Sequence, residues 1–392
     1  MTFPEVEILN NLVSRVFRIE DVTLGDPQKG TVARYRGQLL NEDSAAAYDQ
    51  LAESLAPYRI TPLFRIEDGR QVVHLAPSKP EPKAGKVSTN IILFVLTVFS
   101  VMLAGAQPDG PIPNDFAGQM LALVKNIFTG WPFALSLLGI LLAHEFGHYL
   151  MSRHHKTPAT LPYFIPFPFS PLGTMGAAIL MRGVPKNKRI LFDIGVAGPL
   201  AGMAAAIPVL FLGLSLSSLG TIEPNPNSFI EGNSLLYLFA KFAVFGRLLP
   251  APVGPQTFLY WVQYFFTGQP APFGATDVFI HPVAFAGWAG MLVTALNLIP
   301  AGTLDGGHVI YSVFGDKAKK AFPFIIGMLL LLGFFWSGWW LWAALLLWLG
   351  RVQADLLDQI TPLDFQRRAV AVLVILVFLL VFIPVPFMTL AR

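Results

Sequence analysis

The spacing of apolar positions divides the chain into two regions. Near the start, Val6, Leu9, Leu12, Val13 and Val16 recur at helical spacing behind Pro4. Val16–Leu24 and Thr31–Leu40 then read as strands, separated by Gly25-Asp26-Pro27. A helix is expected over about Glu42–Leu55 with Asn41 as its N-cap. After it, Ile60–Glu67 and Arg70–Leu75 flank Asp68-Gly69, a strong hairpin signal. The order α-β-β-α-β-β predicts a small cytosolic α+β domain over residues 1–80. Ala76–Lys86 carries Pro77, Pro80 and Pro82 and reads as a stiff linker; the boundary with the second region is set at residues 81–90.

From residue 91 to 392 the alternation gives way to long apolar runs, which predict a membrane domain. Spans are expected at about Ile91–Ala106, Trp131–Met151, Ile190–Leu219, Pro282–Leu298 and Ala369–Phe387. Phe322–Gly350 is either one tilted helix or two short passes broken near Ser337-Gly338. The fold class is therefore a polytopic α-helical membrane protein with about 6–7 transmembrane helices. Gln107–Asn126 returns to water, with Pro108, Pro111 and Pro113 blocking regular structure early on. Gly220–Ile280 reads as mostly interfacial, Ser234–Leu249 resembling an amphipathic helix with Lys241 and Arg247.

One apolar stretch cannot span. Thr160–Met181 holds Pro162, Pro166, Pro168 and Pro171, then Gly173-Thr174-Met175-Gly176. Irregular backbone at membrane depth is tolerated only against protein or a water-filled cavity. It is expected to form a re-entrant loop or hairpin; the alternative is a loop lying on the membrane surface.

Composition agrees. The 392 residues are 54% hydrophobic and 13% charged, against about 25% charged in soluble domains. Lys and Arg number 27 against 24 Asp and Glu, a balance that offers no basic surface for nucleic acid. Placement says more than the total. Arg153, Lys156, Arg182, Lys186, Lys188 and Arg189 follow one another without an acidic residue between, so this segment is expected on the cytoplasmic side. Arg351, Arg367 and Arg368 point the same way near the C-terminus. The opening Met1–Glu5 has no basic region followed by an apolar one, so neither a signal nor a transit peptide is expected.

The chemistry concentrates in Ala143–His148. His144 and His148, four apart on a helix, share one face and can share one metal ion. Glu145 sits beside that face, where it can take a proton from an activated water. Such a short motif also arises by chance, and on a surface helix it would carry little weight. Its flanks Leu137–Leu142 and Tyr149–Met151 are apolar, however, and a Glu between two His in such a span is costly without a cation. His144 lies about 13 Å from the inner end of its span at 1.5 Å per residue.

The chain has no cysteine, which excludes thiolate ligands, disulfides and a cysteine nucleophile. Any zinc must be held by His and carboxylate. The fourth span ends in Asn297-Leu298-Ile299-Pro300, and Pro300 with the following glycines leaves Asp305 on irregular backbone near the same inner side. Asp-Gly is by itself a common turn. At this depth, though, His144, His148 and Asp305 make a two-His, one-carboxylate set with a position open for water, the composition of a catalytic zinc site. Asp193 reads as a carboxylate favoured near a helix N-terminus and only a minor candidate ligand.

These residues together resemble the site-2 protease family of intramembrane zinc metalloproteases, from about Ile91 onward. The resemblance rests on His144-Glu145-Phe146-Gly147-His148, on Ala197-Gly198-Pro199 in the third span, and on Asn297, Pro300 and Leu304-Asp305-Gly306. Leu161–Pro166 with Gly173–Ala177 looks like the branch shared by cyanobacteria, chloroplasts and other bacteria. The resemblance implies one zinc ion on His144, His148 and Asp305, Glu145 as catalytic base, and Asn297 orienting substrate or stabilising the tetrahedral intermediate. It implies a transmembrane protein or peptide as substrate and a multi-pass location in the lipid bilayer of a bacterial cell membrane. No PDZ-sized insertion follows the third span, and nothing transfers to residues 1–80. Two other readings fit the motif: an inactive relative that binds transmembrane segments, and a metal transporter. A transporter needs ligands along a path, and His281 near the outer side with His154, His155 and His308 near the inner side form none; these read as interfacial or loop histidines.

Overall fold

A computed structural model describes residues 4–25, 30–78, 85–108, 110, 115–349 and 355–390. Asp26, Pro27, Pro80, Pro82, Pro111, Pro113 and Arg351, which carry some of the sequence signals, lie outside these residues.

The N-terminal region forms the expected order: α1 (Val6–Ser14), β1 (Phe17–Leu24), β2 (Ala33–Leu39), α2 (Ser44–Leu55), β3 (Ile60–Glu67) and β4 (Arg70–Pro77). The sheet runs β1-β2-β4-β3, antiparallel throughout. Leu9 and Val13 of α1 and Tyr48, Leu51 and Leu55 of α2 cover it, closing a core with Phe17, Tyr35 and Phe64. The cap of α2 is Asp43, not Asn41; its carboxylate accepts from the Ala45 and Ala46 amides.

Across the sheet Glu67 bonds both Arg34 and His74. Burial pushes the Glu67 carboxyl up, but the bonds from His74 and Arg34 outweigh it and hold the group below its ordinary value. A lowered carboxyl stabilises the fold above the unfolded carboxylate range, and that contribution is lost as pH falls through the folded value. Acidification from about pH 6 to pH 3 is therefore expected to lower the protection of the β2–β4 amides, measured against the intrinsic exchange rate at each pH. Glu67→Gln should remove that pH dependence while costing less than about 1 kcal/mol, since the pair is partly exposed.

A strap from the other end of the chain completes this sheet. The Phe64 amide donates to the Leu357 carbonyl at 2.9 Å, and the Gln359 amide donates to the Phe64 carbonyl at 3.1 Å. Ser44 and Thr361 pair at 2.8 Å, and Leu357 and Ile360 pack on the core. On its other side the strap bonds the helical region: the Asp358 amide donates to the Lys186 carbonyl at 2.6 Å.

The rest is helical. Its elements are α3 (Val87–Ala104), α4 (Phe116–Lys125), α5 (Trp131–His154), β5 (Tyr163–Pro166), β6 (Thr174–Ala178), α6 (Lys188–Ser215), β7 (Ser218–Thr221), β8 (Asn225–Glu231), α7 (Leu235–Phe245), α8 (Phe258–Thr267), β9 (Thr276–Phe279), α9 (Pro282–Asn297), α10 (Asp305–Phe314), α11 (Phe322–Leu332), α12 (Gly338–Leu349), α13 (Phe365–Val381) and β10 (Phe387–Leu390). Among the described residues three helices are long and apolar enough to cross a membrane: α3, the run Ile127–His154 containing α5, and α6. α4, α7, α9 and most of α12 are shorter apolar helices. The chain is thus a multi-pass, α-helical membrane protein with an α+β region at its N-terminus.

α5, α6 and α9 pack against one another around Phe133, Leu137, Ile140, Leu210, Trp288 and Met291. Thr160–Met181 contains an antiparallel hairpin, β5 with β6, reversed near Gly173 at φ +70°. Three further points differ from the sequence or sharpen it. α4 forms in the later part of Gln107–Asn126, beyond the prolines, where the Asp115 carboxylate caps it by accepting from the Gly118 amide. The stretch expected as one helix or two is interrupted: α11 and α12 are separated at Gly333–Ser337, beside the break expected near Ser337-Gly338. Lys241 is not on an exposed face. It is wholly buried, its Nζ 3.2 Å from Asp277 and over the Tyr237 ring, because strands β7–β9 and β8–β10 cap α7.

Candidate metal centre

His144 and His148 project from one face of α5 into its contact with α6, and both are buried. That contact is close because α6 offers glycines there: a Cβ on Gly198 would stand 2.0 Å from His148 Nε2, and one on Gly202 would stand 3.0 Å from His144 Nδ1. On α5, a Cβ on Gly147 would meet the Ala197 carbonyl oxygen at 2.5 Å. Small residues four apart let helix backbones approach in this way.

Asp305 arrives from the other side. It opens α10 as its first residue and does not lie on irregular backbone as the glycines suggested; Leu304 is extended just before it. Its Oδ2 lies 3.2 Å from His144 Nε2 and its Oδ1 lies 3.3 Å from His148 Nε2. The two Nε2 atoms are themselves 3.2 Å apart. Among the described residues this is the one grouping of three His or carboxylate side chains whose ligand atoms all lie within 4.8 Å of one another.

The hydrogen bonds test whether these residues fit a cation. His148 Nδ1 must donate to the Ile194 carbonyl at 2.7 Å, so in the neutral ring the Nε2 lone pair faces His144 and Asp305. Fixing one ring nitrogen on a carbonyl leaves the other basic and aimed, the usual support of a metal-ligating histidine. Acceptors facing one another this closely repel unless a proton or cation lies among them. The set therefore fits a zinc site of two histidines and one carboxylate.

Glu145 is buried beside the set, and Ile179, just past β6, lines the same cleft. Asn297, the last residue of α9, reaches His144 Nε2 at 3.3 Å through Nδ2. These five residues line a cleft of about 510 Å³ whose far wall is Ala177–Met181. All five sequence-predicted site residues thus meet in one place.

A family model described as Peptidase family M50 matches residues 132–334, and the cluster lies inside that stretch. The chain belongs to peptidase family M50. Among curated proteins it is similar to the one named "Probable zinc metalloprotease EGY1, chloroplastic" in Oryza sativa subsp. japonica, at 33% identity over 62% of this chain and 41% of the relative. The Arabidopsis thaliana protein of the same name is 30% identical over 75% of this chain and 52% of the relative. The Arabidopsis thaliana "Probable zinc metalloprotease EGY2, chloroplastic" is 27% identical over 97% and 65%. The chain spans between two fifths and two thirds of the length of these relatives.

Sequence reasoning missed several groups around the M50 motifs. His308, expected as a loop or interfacial residue, sits on α10 and lines the cleft. Gly202 and the Ile194 carbonyl gave no signal, since a helix crossing has no local signature. Asp193 does not join the cluster; it bonds His155 and Arg367.

Proposed function

We propose that the chain is an intramembrane zinc endopeptidase, of the site-2 protease type, hydrolysing peptide bonds within or near transmembrane segments of other membrane proteins. The observation that carries this reading is the convergence of His144, His148 and Asp305 beside a fourth buried group, the Glu145 carboxylate, inside a helical membrane protein. In this reading residues 1–80 form a cytosolic domain, 81–90 a linker and 91–392 the protease. The bundle makes six or seven passes, with α9, the α11–α12 pair and α13 added to the three long helices and the β5–β6 hairpin re-entering beside the cleft. The home of the protein is a bacterial cell membrane, with the cleft nearer the cytoplasm, as the basic run Arg153–Arg189 supports.

His144, His148 and Asp305 would hold one zinc ion, which supplies Lewis acidity toward a scissile carbonyl and toward water. The chain's own groups do the rest. Glu145 accepts a proton from the attacking water and returns it to the leaving amine. Asn297, beside His144, offers an amide donor to the oxygen on which charge develops. Among the described residues β6 pairs with no strand but β5, and its other edge would accept an extended substrate strand. That matters because a helix keeps each carbonyl internally bonded, and new strand bonds offset those lost on unwinding.

The test is cleavage of a panel of single-span membrane peptides by the purified chain in detergent. Hydrolysis stopped by a chelator and restored by zinc is expected. Hydrolysis indifferent to the chelator would overturn the zinc reading, and tight peptide capture by zinc-loaded protein with no hydrolysis would favour a binding protein.

A further inference from the structure

We propose that Asp193 is a positioning residue for the metal centre, holding the start of α6 so that the Ile194 carbonyl stays aimed at His148; this rests on the metal-centre reading above. Asp193 is in the second turn of α6, its side chain only 16% exposed. Three elements meet on it. Arg367, in the first turn of α13, donates Nε to Oδ1 at 2.8 Å and Nη2 to Oδ2 at 2.6 Å. His155, at the end of α5, lies 2.9 Å from Oδ2 through Nε2. Arg367 is itself oriented by Asp364, which caps α13 by accepting from the Arg367 amide at 2.9 Å and also bonds its guanidinium.

The next residue in the chain, Ile194, supplies the carbonyl that fixes the His148 ring. His148 and His155 are seven apart and so share one face of α5. Each bonds one of two consecutive residues of α6, at points two helical turns apart. A bidentate guanidinium–carboxylate fork fixes direction as well as distance. The crossing has no slack, since Gly198 lies against the His148 ring, so a shift of α6 must move either that ring or the Ile194 bond. The carboxylate at 193 is therefore a lock on the angle between the helix that carries the histidines and the helix that orients them.

Cobalt(II) is the probe, because its visible absorption reports ligand geometry whether or not any peptide is cut. Wild type, Asp193→Asn, Arg367→Lys and Asp277→Asn would each be loaded with cobalt, and zinc affinity measured by chelator competition. The expected result is a changed cobalt spectrum and zinc affinity weakened by about 10–100-fold in Asp193→Asn. Arg367→Lys, which keeps the charge and loses the fork, should fall between it and wild type. Asp277→Asn breaks the buried Lys241 pair in the far cap; it should lower the melting temperature and leave the spectrum unchanged. If Asp193→Asn and Arg367→Lys both keep the wild-type spectrum and affinity, the positioning role is wrong and the metal centre stands. If Asp193→Asn does not fold, Arg367→Lys decides alone. If wild type takes up no cobalt, the metal-centre reading fails and takes this role with it.

Discussion

Glu145→Gln is expected to keep a full complement of zinc and to lose peptide hydrolysis, by about 10²–10⁴-fold if the residue is a general base. The reasoning is geometric. Glu145 is buried against the cleft but is not one of the three converging ligands, so the substitution leaves the His144–His148–Asp305 set whole. Gln has nearly the same size and shape, so the wall of the cleft, which includes Ile179, should stay in place. What it cannot do is take up a proton. Zinc content and cleavage measured on the same preparation would separate the two roles. A variant that retains activity within tenfold would assign the base elsewhere in the cleft, with His308 the next group to test.

Gly198→Ala, by contrast, should damage metal binding itself, although alanine is the mildest of side chains. Its methyl would lie 2.0 Å from His148 Nε2, 2.4 Å from Cδ2 and 2.5 Å from Cε1. The ring has no free direction to yield, since Nδ1 is held by Ile194 and the opposite side is filled by His144 and Asp305. Either the helices separate or the ring leaves the set. Overpacking of this kind costs about 1–3 kcal/mol, and displacing a ligand should weaken zinc binding by at least about 100-fold. Gly139→Ala on the same helix as the histidines is the control, because a Cβ there meets nothing within 4 Å. Its melting temperature and zinc affinity should match wild type. Gly198→Ala retaining both would refute the close crossing of α5 and α6.

Much of the fold and most of the site are legible in the sequence. The N-terminal elements follow from alternation, one Asp-Gly hairpin signal and a helical repeat, all local properties. His144, Glu145 and His148 stand out by spacing, and Asp305 by a proline and glycines closing an apolar run. What escapes is non-local. The cap on α2 falls on Asp43 and not Asn41 because either residue can serve and packing chooses the start. Strands β7–β10 are not anticipated: β8 pairs with β10, setting Glu231 opposite Phe387, a match no window along the chain can display. Lys241 reads as a solvated charge because its partner, Asp277, lies 36 residues away. Asp193 likewise reads as a dipole-stabilising acid because Arg367 reaches it from 174 residues on.

The strap on Phe64 bears on how the molecule is made. Arg65 Nη1 donates to the Leu357 carbonyl across 292 residues, so β3 has an open outer edge for most of the time the chain is being synthesised. The small sheet emerges before the helical region, yet its last hydrogen bonds wait for a segment that follows all three long apolar helices. Ribosomal order and folding order are therefore inverted at this edge. A chain that stalls or is truncated before residue 357 leaves an unpaired strand displayed in water, the kind of surface that chaperones and proteases recognise.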